Sequence, residues 1–310
     1  VYKLCRLKNL FLTIWLKMKK EPVVLKNKIK DFIKSILSTA FIVIFLTSAV
    51  IEASKVPTPS MEKTILVGDF LFINKFLFGA ATPRYIPFTN IELPYFKLPA
   101  FREPELNEIL VFRYPGDLYQ LKDDAVEFWV KRCVGTPGDV VEFRNKVLFV
   151  NGKEFPIPKN ILYEGGPSLP EDIVDPHIFP KGSNWNQDNY GPLIIPKKGD
   201  IIKLSTDNIN IYETLINREF GEKVVSVRNE TVLINGKQVS EYEIKEDYYF
   251  MVGDNRDNSL DSRYWGFVPR ENIVGTPILI YWSWNPDIPI LHVFDKLGSI
   301  RFDRIGLVVK

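Results

Sequence analysis

Ser35 to Ile51, SILSTAFIVIFLTSAVI, runs seventeen residues without a charge. Phe, Ile, Leu, Val and Ala dominate it, and its length is at the short end of what crosses a bilayer as a helix. A buried helix in a soluble core would have the same composition, so the flanks must separate the readings. Residues 1–34 carry ten basic residues (Lys3, Arg6, Lys8, Lys17, Lys19, Lys20, Lys26, Lys28, Lys30, Lys34) and two acidic ones (Glu21, Asp31). Such an excess of positive charge marks the cytoplasmic side of a membrane segment. The sequence therefore predicts a basic cytoplasmic segment over 1–34, one N-terminal transmembrane helix over 35–51, and everything beyond Ile51 on the outer face. A cleavable signal peptide has the same order of charges, but its small-residue site would have to fall between Ser48 and Ala53, and cleavage there would discard the anchor. The run Leu10 to Leu16, LFLTIWL, is too short to span and reads as a helix lying on the inner leaflet. Met18 offers an alternative start, which would make the first seventeen residues an over-extended reading frame.

With 45% hydrophobic and 25% charged residues, the chain can bury one large or two modest cores. Its net charge is only +2, with both signs mixed along most of its length, so it has no general polyanion-binding surface and nucleic acid is not an expected partner. Cys5 and Cys133 fall on opposite sides of the predicted span, which argues against a disulfide between them. Besides these there are only His177 and His292, and no stretch has zinc-ligand spacing, so no metal and no cofactor are expected.

Beyond Val67 come many short β-type runs: Phe70–Asn74, Ile109–Phe112, Phe128–Val134, Val140–Phe143, Val147–Val150, Ile201–Leu204, Val224–Val227, Thr231–Ile234, Tyr248–Val252 and Val274–Trp282. Gly, Pro, Asn and Asp punctuate them. No long 3.6-period helix competes, and the pattern predicts a mainly β fold of antiparallel sheets. Val147-Leu-Phe-Val-Asn-Gly-Lys-Glu and Val232-Leu-Ile-Asn-Gly-Lys-Gln echo each other. Each holds an Asn-Gly pair suited to a type I′ hairpin turn, where both positions need positive φ. Residues 151–240 are rich in turn residues and read as a β-rich insert or second lobe. The expected division is thus a catalytic β domain over 52–150 and 241–290, the insert over 151–240, and a C-terminal segment over 291–310. Residues 82–104 hold five prolines and five aromatics, a loop that either covers the core or dips into a membrane interface.

Three strings carry chemistry. In Val56-Pro-Thr-Pro-Ser60-Met61 two prolines fix φ and hold the backbone extended around a hydroxyl, either to present Ser60 or merely as a linker after the membrane segment. In Val126-Glu-Phe-Trp-Val-Lys131-Arg-Cys-Val134, strand periodicity puts Lys131 with Trp129 and Cys133, and Arg132 with Val130 and Val134. One of the two cations must then sit against apolar side chains. If it is Lys131, desolvation favours a neutral amine able to accept a proton; on an edge strand it would simply face water. In Met251-Val-Gly-Asp-Asn-Arg-Asp-Asn-Ser-Leu-Asp-Ser-Arg-Tyr-Trp-Gly-Phe-Val-Pro269, the Asp and Asn residues suit tight turns. Calcium is disfavoured because the EF-hand spacing is missing and Arg256 and Arg263 would repel the ion.

Together these strings closely resemble the bacterial type I signal peptidases (leader peptidases), Ser-Lys proteases that remove signal peptides from exported proteins. The shared boxes are PTPSM with VGDFLFINKF, KRCVGTPGD, and GDNRDNSLDSR, in the family's order after an N-terminal anchor. They cover about Val56–Lys75, Val130–Val140 and Val252–Pro269. The resemblance implies Ser60 as nucleophile, Lys131 as general base, and an oxyanion hole made by the Thr58 hydroxyl and the Ser60 N–H. Pro59 stands where the family commonly has glycine and stiffens that loop. By the same resemblance Ser259 orients the lysine amine, Asp254, Asp261 and Arg263 form supporting ion pairs, and Gly253 allows close backbone approach. The implied partners are signal peptides of exported pre-proteins and the phospholipid bilayer, the implied place is the cytoplasmic membrane with the catalytic domain outside, and a monomer is expected.

The sharpest rival is Ser60-Met-Glu-Lys63, which fits the S-x-x-K nucleophile motif of penicillin-binding proteins and β-lactamases, although their S-D-N and K-T-G strings are missing. A soluble self-cleaving Ser-Lys repressor would lack the span. A non-catalytic membrane-tethered binding protein is the rival from another class, and nothing in the sequence favours it. A triad using His177 or His292 would have to be assembled in space, since neither lies in a catalytic string.

Overall fold

The computed structural model describes residues 28–40, 42–43, 50–82, 92, 94, 96–117, 120–121 and 127–310. Two compact units divide the chain, Val1–Val50 with Ala81–Phe96, and Ile51–Ala80 with Lys97–Lys310. In the first, residues 28–40 and 42–43 are helical. Among the described residues no helix is long and apolar enough to cross a membrane. Residues 41 and 44–49 of the predicted span lie outside the described residues, as do the interfacial run at 10–16, Met18, Cys5 and most of 83–95.

The second unit is mainly antiparallel β. In chain order it holds β1 (Ile51–Lys55), β2 (Asp69–Asn74), β3 (Ile109–Arg113) and β4 (Phe128–Gly135). Then come β5 (Val140–Arg144), β6 (Val147–Val150), β7 (Lys153–Glu154), β8 (Tyr190–Ile194) and β9 (Ile201–Lys203). Helix α1 (Ile209–Phe220) precedes β10 (Val225–Arg228), β11 (Thr231–Ile234), β12 (Lys237–Gln238) and β13 (Glu241–Glu243). The chain closes with β14 (Tyr248–Val252), the one-turn helix α2 (Ser262–Trp265), β15 (Val268–Pro269), β16 (Ile273–Ser283) and α3 (Val293–Gly298). A seven-stranded sheet runs β1-β2-β16-β3-β4-β14-β15, and smaller sheets run β7-β6-β5-β8, β10-β11-β12 and β13-β9. Every predicted β run falls on one of these strands. Ile51, assigned to the membrane span from the sequence, opens β1 instead.

Burial explains why the central strands form where they do. β2 alternates, with Asp69, Leu71 and Ile73 inward, as a half-buried strand does. β14 is buried at all five positions, and so is β4 from Lys131 to Gly135. An interior strand covered on both faces leaves neither parity open to water, so both Lys131 and Arg132 are buried. The sequence required at least one of the two cations to sit against apolar side chains, and both do.

The expectation of no long helix is also corrected. α1 carries Ile209, Tyr212, Leu215 and Ile216 at helical spacing, with Ile209, Leu215 and Ile216 buried. It ends on Gly221, whose φ of 71° lets its N–H reach the Arg218 carbonyl. Its signals lie inside a turn-rich stretch, which hid them.

Both Asn-Gly pairs adopt the expected positive φ: 52° and 74° at Asn151-Gly152, 52° and 75° at Asn235-Gly236. The echo extends one turn further back. Arg144-Asn145-Lys146 and Arg228-Asn229-Glu230 begin each copy, with positive φ at the second and third residues. β5-β6-β7 and β10-β11-β12 are therefore matching three-stranded ribbons. They bury Leu148 and Val150, and Val232 and Ile234, in one shared core.

Candidate active site

Ser60 sits in the loop that returns β1 to β2. Val56 N–H donates to the Asp69 carbonyl (2.9 Å) and Gly68 N–H to the Val56 carbonyl (3.1 Å), closing the loop at its base. At its tip Glu62 N–H donates to the Pro59 carbonyl (2.9 Å) and Ile65 N–H to the Met61 carbonyl (2.7 Å), a tight turn beginning at the prolines. The side chain of Ser60 is buried.

Lys131 reaches it from β4. Nζ lies 2.7 Å from Ser60 Oγ, and 3.3 Å from the Val130 carbonyl. The amine also lies 5.1 Å from the centroid of the Trp129 ring. Only 3% of Lys131 is exposed. Burial pushes its pKa down from 10.5 to about 8, against the opposing pull of the Asp261 and Asp254 carboxylates. Desolvation penalises the ammonium more than these carboxylates stabilise it. A hydroxyl at hydrogen-bond distance from an amine poised near neutrality is the arrangement a nucleophile and its base require.

Around this pair the turn beginning at Gly253 spends its carboxylates on cations. Asp254 is fully buried and accepts from Arg132 Nε (2.8 Å) and Nη2 (2.7 Å) and from Thr64 Oγ1 (2.5 Å). Asp261 accepts from Arg263 Nε and Nη2, both at 2.9 Å, and from the Gly253 N–H at 3.1 Å. Burial alone would raise the Asp261 carboxyl; Arg263, its hydrogen bonds and the Gly253 N–H outweigh that and hold it below the usual range. Ser259 adds to this from nearby without being aligned as a donor. Asp257 takes Lys146 at 3.0 Å. Among the described residues no three or more His, Cys, Asp or Glu side chains gather as metal ligands would.

Ser259 and Gly253 meet directly behind the serine. A Cβ on Gly253 would collide with Ser259 Oγ and stand 2.5 Å from the Ser60 carbonyl oxygen. Ser259 is buried, but its hydroxyl is not among the hydrogen-bond partners of the Lys131 amine, which are Ser60 Oγ and the Val130 carbonyl. Thr58 is exposed on the rim of the cleft.

That cleft, about 600 Å³, is lined by Ser54–Met61 and Glu127–Lys131, together with Asn258 and Leu260. β1 is the outermost strand of its sheet, and β14 pairs with β4 only from Arg132 onward. Both rims therefore keep backbone edges without a strand partner among the described residues. An extended peptide is the natural occupant of such a slot. Neither His177 nor His292 lines the cleft, and both are exposed. Lys63 is exposed in a turn with φ of 70°, not on a helix with Ser60, so the S-x-x-K geometry is missing.

Sequence reasoning named Asp254 but missed its partner Arg132, as well as Thr64 and the cleft-lining Phe128 and Leu260. The one available signal was that β4 carries apolar residues at both parities around Lys131-Arg132.

A buried hydroxyl–amine pair in an antiparallel β unit, facing a slot for an extended chain, defines a peptidase-like site. Residues 29–282 match the family described as signal peptidase, peptidase S26. The signal peptidase I of Buchnera aphidicola (Schizaphis graminum) is 30% identical, covering 92% of this chain and 84% of its own. That of Pseudomonas fluorescens is 30% identical over 92% of this chain and 82% of its own. A crystal structure of a signal peptidase I from Enterococcus faecalis has 21% identity and a TM-score of 0.24, over 56% of this chain and 97% of its own. The chain belongs to the signal peptidase family, peptidase S26, and is a hydrolase.

Proposed function

We propose that this chain removes N-terminal signal peptides from exported pre-proteins, with Ser60 as nucleophile and the neutral amine of Lys131 as general base. The observation that carries the reading is the 2.7 Å approach of Lys131 Nζ to Ser60 Oγ in a buried setting. Lys131 takes the Ser60 proton as Oγ bonds to the scissile carbonyl carbon. The electron pair displaced onto oxygen is met by the Ser60 N–H and the Thr58 hydroxyl. As the tetrahedral carbon collapses, the Lys131 ammonium gives its proton to the leaving amine. The neutral amine then takes a proton from water as its oxygen attacks the ester, and gives that proton to Ser60 Oγ as the C–O bond breaks and the acid product leaves. The Asp254–Arg132 ion pair holds the strand that carries the amine, and Asp261 with Arg263 stiffens the turn beside it.

The substrate lies extended along the free edges of β1 and β4, presenting small residues at the first and third positions before the cut. The uncharged run that begins at Ser35 and ends before β1 anchors the enzyme as one transmembrane helix, N-terminus inside, so that a monomeric catalytic domain works on the outer face. The basic flank of that run and its freedom from charge support this placement. Among exposed apolar side chains, Phe96, Leu98 and Phe101 suit the membrane-interface reading of the aromatic loop.

The test is cleavage of a purified pre-protein by the detergent-solubilised full chain. Wild type should release the signal peptide, and Ser60→Ala and Lys131→Ala should each slow it by about 10³-fold or more. A Lys63→Ala enzyme as dead as Lys131→Ala would move the chemistry to the other lysine.

A further inference from the structure

The backbone around Ser60 is gripped from behind by a single side chain and its own amide. Asn255 N–H donates to the Ser60 carbonyl (3.0 Å), and Asn255 Nδ2 reaches the Pro59 carbonyl (3.4 Å). These two carbonyls belong to the peptide planes on either side of Ser60. The Pro59 carbonyl shares its plane with the Ser60 N–H, so holding one aims the other. Asn255 is fully buried, and its Nδ2 has a second acceptor, Glu164 Oε1 at 3.1 Å. Both neighbours of Nδ2 are pure acceptors, which fixes which end of the amide faces them.

Glu164 belongs to a short strap that crosses this turn. Leu162 N–H donates to the Asp254 carbonyl and Arg256 N–H to the Leu162 carbonyl, both at 2.8 Å. Glu164 N–H donates to Asp257 Oδ2 at 3.0 Å, and Lys146 ties the same carboxylate at 3.0 Å. The strap is therefore held at Leu162 and at the backbone of Glu164, whose side chain lies at the surface edge of Asn255.

We propose that Asn255 is a positioning residue for the oxyanion-stabilising N–H of Ser60, and that Glu164, contributed by the insert, aims Asn255. The proposal rests on the reading of Ser60 as nucleophile. Neither residue touches the substrate. Their effect is on the angle of one peptide plane, and a misplacement of about 1 Å at a reacting centre costs up to about a hundredfold in rate.

The experiment compares Asn255→Ala, Glu164→Ala and Glu164→Gln in the full-length detergent-solubilised enzyme. Three readouts are kcat and KM on a pre-protein, melting temperature, and affinity for a peptide aldehyde relative to the same peptide as its amide. The aldehyde forms a hemiacetal whose oxygen needs the oxyanion donors; the amide does not. Asn255→Ala should lower kcat about tenfold to a hundredfold with KM within twofold, and weaken the aldehyde alone. Glu164→Ala should do the same by about threefold to tenfold. Glu164→Gln, which keeps an acceptor oxygen, should restore most of it. If Asn255→Ala does not fold, the Glu164 pair decides. Unchanged kcat in Glu164→Ala, or parallel loss of aldehyde and amide affinity, overturns the brace. A Ser60→Ala control that keeps full activity overturns the nucleophile reading and the brace with it.

Discussion

Arg132 forks onto Asp254 through Nε and Nη2 at 2.8 and 2.7 Å, and neither side chain sees solvent. The strand that brings Lys131 to Ser60 thus carries, one residue on, a bidentate ion pair to the turn that packs behind the serine. The third guanidinium nitrogen, Nη1, donates to the Asn107 carbonyl at 2.8 Å and to Asn107 Oδ1 at 3.2 Å.

Breaking this pair from one side leaves a buried charge. Arg132→Met should destabilise the protein by about 3–5 kcal/mol, read as a fall in the urea midpoint with an unchanged slope. Arg132→Met with Asp254→Leu should cost less than Arg132→Met alone, because no ion is stranded. Arg132→Lys should not rescue, since an ammonium cannot make the fork. A harmless Arg132→Met would refute the role given to the pair.

Activity should follow deprotonation of Lys131. With a pKa near 8, kcat/KM should rise roughly tenfold per pH unit below that value and level off above it. A bell centred near pH 5 would contradict the assignment.

The same lysine weakens the fold when charged. Its folded pKa is below its unfolded one, so the unfolded chain binds more protons between about 8 and 10.5, and stability rises with pH across that window. Lys131→Met should therefore be inactive yet more stable at pH 7 by as much as about 3 kcal/mol. That advantage should fade from pH 8 to 10.5, as thermal melts across that range will show.

Gly253 has no space for a side chain. Gly253→Ala should push on Ser259 Oγ and the Ser60 carbonyl, lowering kcat by about a hundredfold while far-UV circular dichroism stays that of the wild type. An enzyme of full activity would show that the Ser60 backbone tolerates the shift.

Asp261 supplies the acid-side counterpart. Its carboxyl is held below the ordinary value near 3.8, so its stabilisation is complete above that and is lost as pH falls through the lowered value. Asp261→Asn should remove this share of the pH dependence in acid unfolding curves while lowering stability at pH 7.

The strands were readable because β-branched and aromatic runs ended on Gly, Pro, Asn and Asp; the Asn-Gly turns were readable because positive φ narrows the choice of residue. The boxes around Ser60, Lys131 and Asp254 were readable by resemblance. Partnerships were not: Arg132 and Asp254 are 122 residues apart, and Asp69 and Arg304 are 235 apart. No local pattern encodes which distant carboxylate a buried cation will meet. Asn255 read as one more turn residue, because its contacts depend on a strap arriving from elsewhere. α1 was missed since Asn, Thr and Gly around it weighed more heavily than its four spaced apolar residues.

The paired ribbons β5-β6-β7 and β10-β11-β12 bear on the order of assembly. Each is closed by turns between immediate neighbours, whereas Asp69 and Ser283, which join β2 to the far end of β16, are 214 residues apart. Short loops close sooner than long ones. As the chain emerges, two small sheets can take shape before β16, the last strand to join the large sheet, has been synthesised, so proteolytic capability arrives only after Ser283 has left the ribosome.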